Sequence, residues 1–135
     1  MKSLHMLERG MDTAMLRRNV LANNIANVDV PHFKRSEVIF EAALKRSLDQ
    51  EKAIESEPSI RTTHERHIAR RQFEPFRDVQ PGVHTDYMSS MRNDGNNVDI
   101  EDEVAKLVRN QMQYSLMVDR IGGTFRQLNT LIRMA

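Results

Sequence analysis

The two ends of the chain carry the same spacing, and the residues between them do not. From the N-terminus, Leu4, Leu7, Met11, Ala14, Arg18, Leu21, Ile25 and Val28 fall at alternating steps of three and four. From Ile100, the positions Val104, Leu107, Gln111, Tyr114, Val118, Ile121, Phe125, Leu128 and Ile132 repeat the pattern. Such steps put side chains on one face of an α-helix, and a heptad recurrence favours helix lying along helix. Arg18 and Gln111 are the polar members of the two runs. The pattern predicts a mainly α fold. Long N- and C-terminal helices pack as an antiparallel coiled-coil-like pair, with a short third helix and an irregular middle arm. It also predicts assembly. Val108, Met112 and Leu116 form a second apolar row on the last helix, and one partner helix cannot cover both rows.

The chain of 135 residues is expected to be one structural domain in three segments: an axial helix within 1–30, a middle region over 31–97 and a second axial helix over 98–135. The first helix is predicted from Ser3 to Val28. Asn23, Asn24, Asn27, Asp29 and Pro31 mark its exit, because Asn and Asp compete for backbone hydrogen bonds and Pro disfavours helix before it. A short helix over about 36–52 follows, with Ser36 as N-cap, Glu37 at the positive end of the dipole, and Phe40, Ala43, Leu44, Ser47 and Leu48 on its apolar face. Residues 53–97 lack periodicity and are punctuated by Pro58, Pro75, Pro81 and Gly82. Within them, Gln72-Phe73-Glu74 and Val79 to Val83 are candidate strands. Asn93-Asp94-Gly95-Asn96-Asn97 signals a loop.

The last helix is predicted to start after Asp99 as N-cap, with Asp102 in a box-like relation to it, and to run to about Arg133. Glu101, Asp102 and Glu103 suit the positive end of its dipole. Gly122-Gly123 inside it costs about 2 kcal/mol of helix propensity relative to alanine. The pair reads either as a close approach by a neighbouring helix or as a tolerated weak point.

Several function classes are disfavoured by composition. A net charge of +1 gives no general attraction to nucleic acid or anionic membrane. The absence of cysteine excludes disulfides and thiolate metal sites. No stretch approaches the ~20 apolar residues of a membrane helix. The start, Met1 to Arg9, lacks the apolar core of a cleaved secretory signal, so none is expected. His64-Glu65-Arg66-His67 is not the zinc motif H-E-x-x-H, and Arg66, Arg70 and Arg71 would repel a cation. The basic stretch containing Arg61 has no interleaved aromatics to serve nucleic acid. No phosphate loop or nucleophile–base spacing is present. The expectation is therefore a non-enzyme with no catalytic, cofactor or metal residues, and no nucleic-acid or small-molecule partner.

The run Leu21-Ala22-Asn23-Asn24-Ile25-Ala26-Asn27-Val28-Asp29-Val30-Pro31 resembles the signature of the bacterial flagellar rod and hook proteins. Asn23, Asn24, Ile25, Ala26, Asn27, Asp29 and Pro31 match it, and Phe33 supplies the aromatic residue that follows. Val30 stands where that family has Thr and His32 where it has Gly, so the turn itself is not carried over. Thr63 to Ile68 is similar to a middle segment of the proximal-rod members. Asp94, Gly95, Asn97 and Asp99 resemble their approach to the C-terminal helix, and Asn110 with Tyr114 resembles their N-x-x-x-Y. The resemblance implies a structural subunit of the proximal rod, the drive shaft of the basal body. It implies export without a cleaved signal peptide to a periplasmic rod. The implied partners are other copies of the chain, other rod proteins, and ring and export-gate components. A sibling proximal-rod protein is the near alternative. A soluble helical dimerising adaptor or regulator is the alternative from another class, separable because it would stay cytosolic as a small closed oligomer.

Overall fold

A computed structural model describes residues 2–56 and 75–134. The chain is mainly helical. Helix α1 spans Lys2–Ala26, strand β1 Ser36–Ile39, helix α2 Glu41–Ser56, strand β2 Gly82–Thr85 and helix α3 Ile100–Met134. Two compact units result: Met1–Val38 with Gly82–Ala135, and Ile39–Pro81.

In the first unit α1 packs along α3. Three links fix the direction. Asn24 reaches Glu103 at 2.8 Å, Asn110 reaches the Ala14 carbonyl at 2.9 Å, and a Cβ on Gly10 would lie 2.9 Å from Met117 Sδ. Positions that rise on one helix fall on the other, so the pair is antiparallel, as expected. At ~1.5 Å per residue α3 is about 52 Å long and α1 about 37 Å. The last turns of α3, from about Phe125, therefore extend past the start of α1.

The seam between the helices is offset from the apolar stripe predicted for α3. Glu103, Leu107, Asn110, Tyr114, Met117 and Ile121 are buried or half-buried, at the same alternating steps. Leu107, Tyr114 and Ile121 belong to the predicted stripe. Val104, Gln111 and Val118 are instead exposed, while Phe125, Leu128 and Ile132 continue the seam's steps and are exposed because α3 there extends past α1. The offset lies in the first half of the helix. The reason is polar. Asn110 and Glu103 each satisfy a hydrogen bond against α1, and a buried polar group that forfeits its partner costs more than an apolar group left wet. On α1 the buried positions are Thr13, Ala14, Leu21 and Asn24; Leu4, Leu7, Met11 and Ile25 are half-buried, and Arg18 is exposed.

The predicted second helix is corrected. Ser36 is not its N-cap but the first residue of β1, which pairs with β2. Ser36 Oγ lies 3.0 Å from Thr85 Oγ1, and Asp86 N donates to the Arg35 carbonyl. The start of one strand meets the end of the other, so the ribbon is antiparallel. Tertiary pairing thus overrides the local capping signal, as it commonly does for short β segments. The helix begins five residues later, with Glu41 in its first turn and Leu44 N bonded to the Phe40 carbonyl. Val79 is buried but precedes β2, so the alternation read from Val79 to Val83 is a strand in its later part alone. Thr63 to Ile68, His64 and His67, the Arg61–Arg71 stretch and Gln72-Phe73-Glu74 lie outside the described residues.

Candidate functional site

The signature residues and the approach to α3 meet at one end of the first unit, and asparagine side chains join them. Asn24 is fully buried, with 0% of its surface exposed. Its Oδ1 accepts from Ser36 N–H at 3.0 Å and its Nδ2 donates to the Ser36 carbonyl at 2.8 Å. The side-chain amide thus pairs with Ser36 as a neighbouring strand would. The second Nδ2 hydrogen reaches Glu103 Oε2 at 2.8 Å. Asn27 N bonds to the Asn23 carbonyl and its Nδ2 donates to the same atom at 2.7 Å, closing the last turn of α1.

Asn96 and Asn97 complete the lock. Asn96 is buried, and its Nδ2 faces the carbonyls of Asn27, Val28 and Val30 at 3.2, 3.0 and 2.9 Å. Its Oδ1 accepts from Val98 N. Asn97 Oδ1 accepts from Arg35 N, while its Nδ2 donates to the Asp86 carbonyl and to Ser89 Oγ. Lys34 Nζ donates to the Ser89 and Gly95 carbonyls at 2.8 and 2.9 Å. A loop with no regular structure gains its backbone partners this way, which buried carbonyls require.

His32 takes up a backbone conformation that glycine adopts most readily. Its φ is +62°, in the left-handed region, and its N–H donates to the Asp94 carbonyl. The backbone path at His32 is therefore a glycine-like one. Gly95 also has a positive φ, +79°, and a Cβ there would lie 2.8 Å from His32 Nδ1. The imidazole occupies the space that Gly95 leaves.

Asp99 caps α3 as expected, accepting from Glu101 N at 3.0 Å and Asp102 N at 3.4 Å. Asp102 turns instead to Lys106, at 2.8 Å, rather than back to the cap. Glu103 is not a solvated dipole charge. It is 2% exposed, and its carboxylate meets Asn24, Lys106 at 3.1 Å and Arg35 at 4.0 Å. The hydrogen bond from Lys106 holds the Asp102 carboxyl below the usual carboxylate range. For Lys106, burial favours the neutral amine, but Asp102 and Glu103 together outweigh it and raise its pKa. Asp86 is held low by the Ser89 hydroxyl, then by the N–H groups of Ser89 and Met88 and the charge of Arg35.

Sequence reasoning placed Asn96 and Asn110 in motifs without a role, and read Glu103 as a charge suited to the start of the helix. The available signal was an asparagine and a glutamate inside helical heptads, where buried polar groups need partners. Asn110 supplies one such tie, although its Oδ1 is buried with no hydrogen bond among the described residues.

The other feature is the outward face of α3. Ile100, Val104, Val108, Met112, Leu116 and Val118 are exposed after α1 has packed, and so are Phe125, Leu128, Leu131, Ile132 and Met134 in the turns that extend past α1. Exposed apolar side chains are thus spread over a helix of 35 residues. Gly122 and Gly123 meet no other element; a Cβ on either would touch the Arg126 guanidinium at 3.6 or 3.9 Å. No group of His, Asp and Glu suited to a metal occurs among the described residues, and no helix there is long and apolar enough to cross a membrane.

A family model for "Flagella basal body rod protein" matches residues 4–34. The chain is 40% identical to the flagellar basal body rod protein FlgB of Borrelia hermsii, across 97% of the chain and 96% of that protein. It is 35% identical to FlgB of Borreliella burgdorferi across 98% and 96%, and 30% identical to FlgB of Bacillus subtilis across 93% and 89%.

Proposed function

As the chain belongs to the FlgB family of flagellar basal body rod proteins, a structural rod subunit and not an enzyme, we propose that it builds the proximal rod through the outward face of α3. The supporting observation is the division of labour on that helix. One face is committed to α1 by Asn110 and Glu103, while the apolar side chains of the other face up to Val118 and of the turns that extend past α1 are left for neighbours. Burying a Leu or Ile contributes ~1.5–3 kcal/mol, so a few of these side chains per neighbour hold an array together. The asparagine-locked end keeps α1 and α3 at fixed register, so every subunit presents the same face. A repeated heterologous contact of that kind generates an open helical stack, the geometry of a shaft.

The partners in this reading are other copies, other rod proteins, and ring and export-gate components, with no nucleic acid or small-molecule substrate. The chain travels to a periplasmic rod without a cleaved signal peptide, with the first helix needed for export. The sibling rod protein and the cytosolic adaptor are not favoured by the comparisons.

The test is deletion of the gene, with basal bodies isolated from complemented cells. Loss of rods and swimming on deletion, with the chain and its intact N-terminus found by mass spectrometry in the complemented basal bodies, is expected. Swimming cells that lack the chain, or basal bodies without it, would refute the reading.

A further inference from the structure

The chain contains one Asp-Gly step, Asp94-Gly95, and no Asn-Gly step. Glycine has no Cβ to shield its amide nitrogen, so this step is the one most open to attack of that nitrogen on the preceding carboxyl group. In that reaction Gly95 N bonds to Asp94 Cγ, and its hydrogen leaves with the carboxyl OH as water, closing a five-membered succinimide. Water then adds back at either carbonyl. Addition at the former main-chain carbonyl gives isoaspartate. The main chain then runs through Cβ and Cγ of residue 94, and the old carbonyl becomes a carboxylate. Mass and charge end where they began, and no oxidant or second molecule other than water is consumed.

In the locked loop both reacting groups are engaged elsewhere. Gly95 N donates to the Arg92 carbonyl at 3.0 Å, and the Asp94 carbonyl accepts from His32 N at 3.0 Å. The peptide that must turn is thus tied at its nitrogen and at its oxygen. Asp94 Oδ1 accepts from Asn96 N at 3.1 Å, and Oδ2 lies 3.6 Å from Arg92 Nε. The flanking residues are fastened in turn. Arg92 Nη1 donates to the Val28 carbonyl at 2.9 Å, Asn96 Nδ2 holds the end of α1, and Lys34 Nζ holds the Gly95 carbonyl. Asp94 and Gly95 are half-buried, so water reaches them and geometry alone stands in the way.

We propose that Asp94-Gly95 is a modification site gated by the asparagine lock, where isoaspartate forms in proportion to the time the lock spends open. The change is one-way for the lock. An extra main-chain carbon between Arg92 and Asn96 does not fit the bonds that close this turn, from Gly95 N to the Arg92 carbonyl and from Met91 N and Arg92 N to the Asn96 carbonyl. A chain that stays open therefore loses its ability to close, and its time unlocked is recorded in covalent structure. This inference goes beyond the rod-subunit reading and does not depend on it.

The purified full-length chain is held at neutral pH, folded or in guanidinium chloride. Isoaspartate is then read in the tryptic fragment that contains Asp94, with electron-transfer fragmentation to separate it from Asp99 and Asp102. The rate at Asp94 is expected to be at least about tenfold lower in the folded chain. Arg92→Gln frees the Asp94 carboxylate and the Val28 carbonyl, and Lys34→Gln frees the Gly95 carbonyl. Each should react several-fold faster than the parent while keeping its helical circular dichroism. In the parent itself, the rate should rise at guanidinium concentrations that leave helicity unchanged. The purified isoaspartate chain, refolded, should show a lower urea midpoint than the parent. Equal rates in folded and denatured chains overturn the proposal, as does isoaspartate at Asp99 or Asp102 in place of Asp94. A rate that rises with global unfolding alone, or folded variants that keep the parent's rate, overturns the lock as the gate. A refolded isoaspartate chain with the parent's midpoint overturns the one-way effect.

Discussion

Asn24→Asp tests the lock most directly, because it changes one heavy atom in a fully buried side chain. The carboxylate can still accept from Ser36 N–H, but both donors are lost, one to the Ser36 carbonyl and one to Glu103. A hydrogen bond to a charged group is worth about 1.5–3 kcal/mol and a neutral one about 0.5–1.5. Those two losses amount to roughly 2–4.5 kcal/mol, before the repulsion of a second carboxylate against Glu103 is added. Against a total stability of about 5–15 kcal/mol for a domain, that is a large fraction. Adding Glu103→Gln restores an amide facing a carboxylate with the roles exchanged. The double variant should recover about 1–3 kcal/mol relative to Asn24→Asp alone. Urea unfolding followed by helical circular dichroism measures all four chains of the cycle. Asn24→Asp within about 0.5 kcal/mol of the parent, or a double variant no better than Asn24→Asp, would refute the reasoning.

Other outcomes follow from the same geometry. Gly95→Ala should destabilise by about 1–3 kcal/mol, since it strains a φ of +79° and meets the His32 ring; combining it with His32→Gly should remove the steric part, leaving the strain, as thermal unfolding would show. Gly122→Ala should stabilise the chain by up to about 1 kcal/mol, because its Cβ has room beside Arg126. Should the same substitution impair swimming, a neighbouring subunit approaches there; unchanged motility removes the close-contact reading. Lowered carboxyl pKa values at Asp86 and Asp102 make stability present above the ordinary carboxylate range and lost as pH falls through the lower folded values. The urea midpoint should thus drop below about pH 4, and a flat midpoint down to pH 3 would contradict it. Ile121→Asp places a charge on the α1–α3 seam and should block rod formation, whereas Glu101→Gln, exposed in the first turn of α3, should cost at most ~0.3–1 kcal/mol.

The sequence by itself determined the two long helices, their antiparallel pairing, the Asp99 cap and the surplus of apolar surface on α3. These follow from periodicity and capping, which are properties of neighbouring residues. It also carried the motif that led to the family. Tertiary structure alone decided which face of α3 meets α1. Local pattern chose the apolar stripe, but Asn110 and Glu103 could be satisfied only by Ala14 and Asn24, far along the chain, and their requirement prevailed. The same holds for Ser36, read as a helix cap and found in a strand because the Asn24 amide occupies its backbone. His32 shows a third case, where the partner loop around Gly95 holds a non-glycine residue at positive φ. In each, a hydrogen-bond donor or acceptor finds its partner at a distance that no local spacing encodes, because burial makes an unpaired polar group too costly to keep.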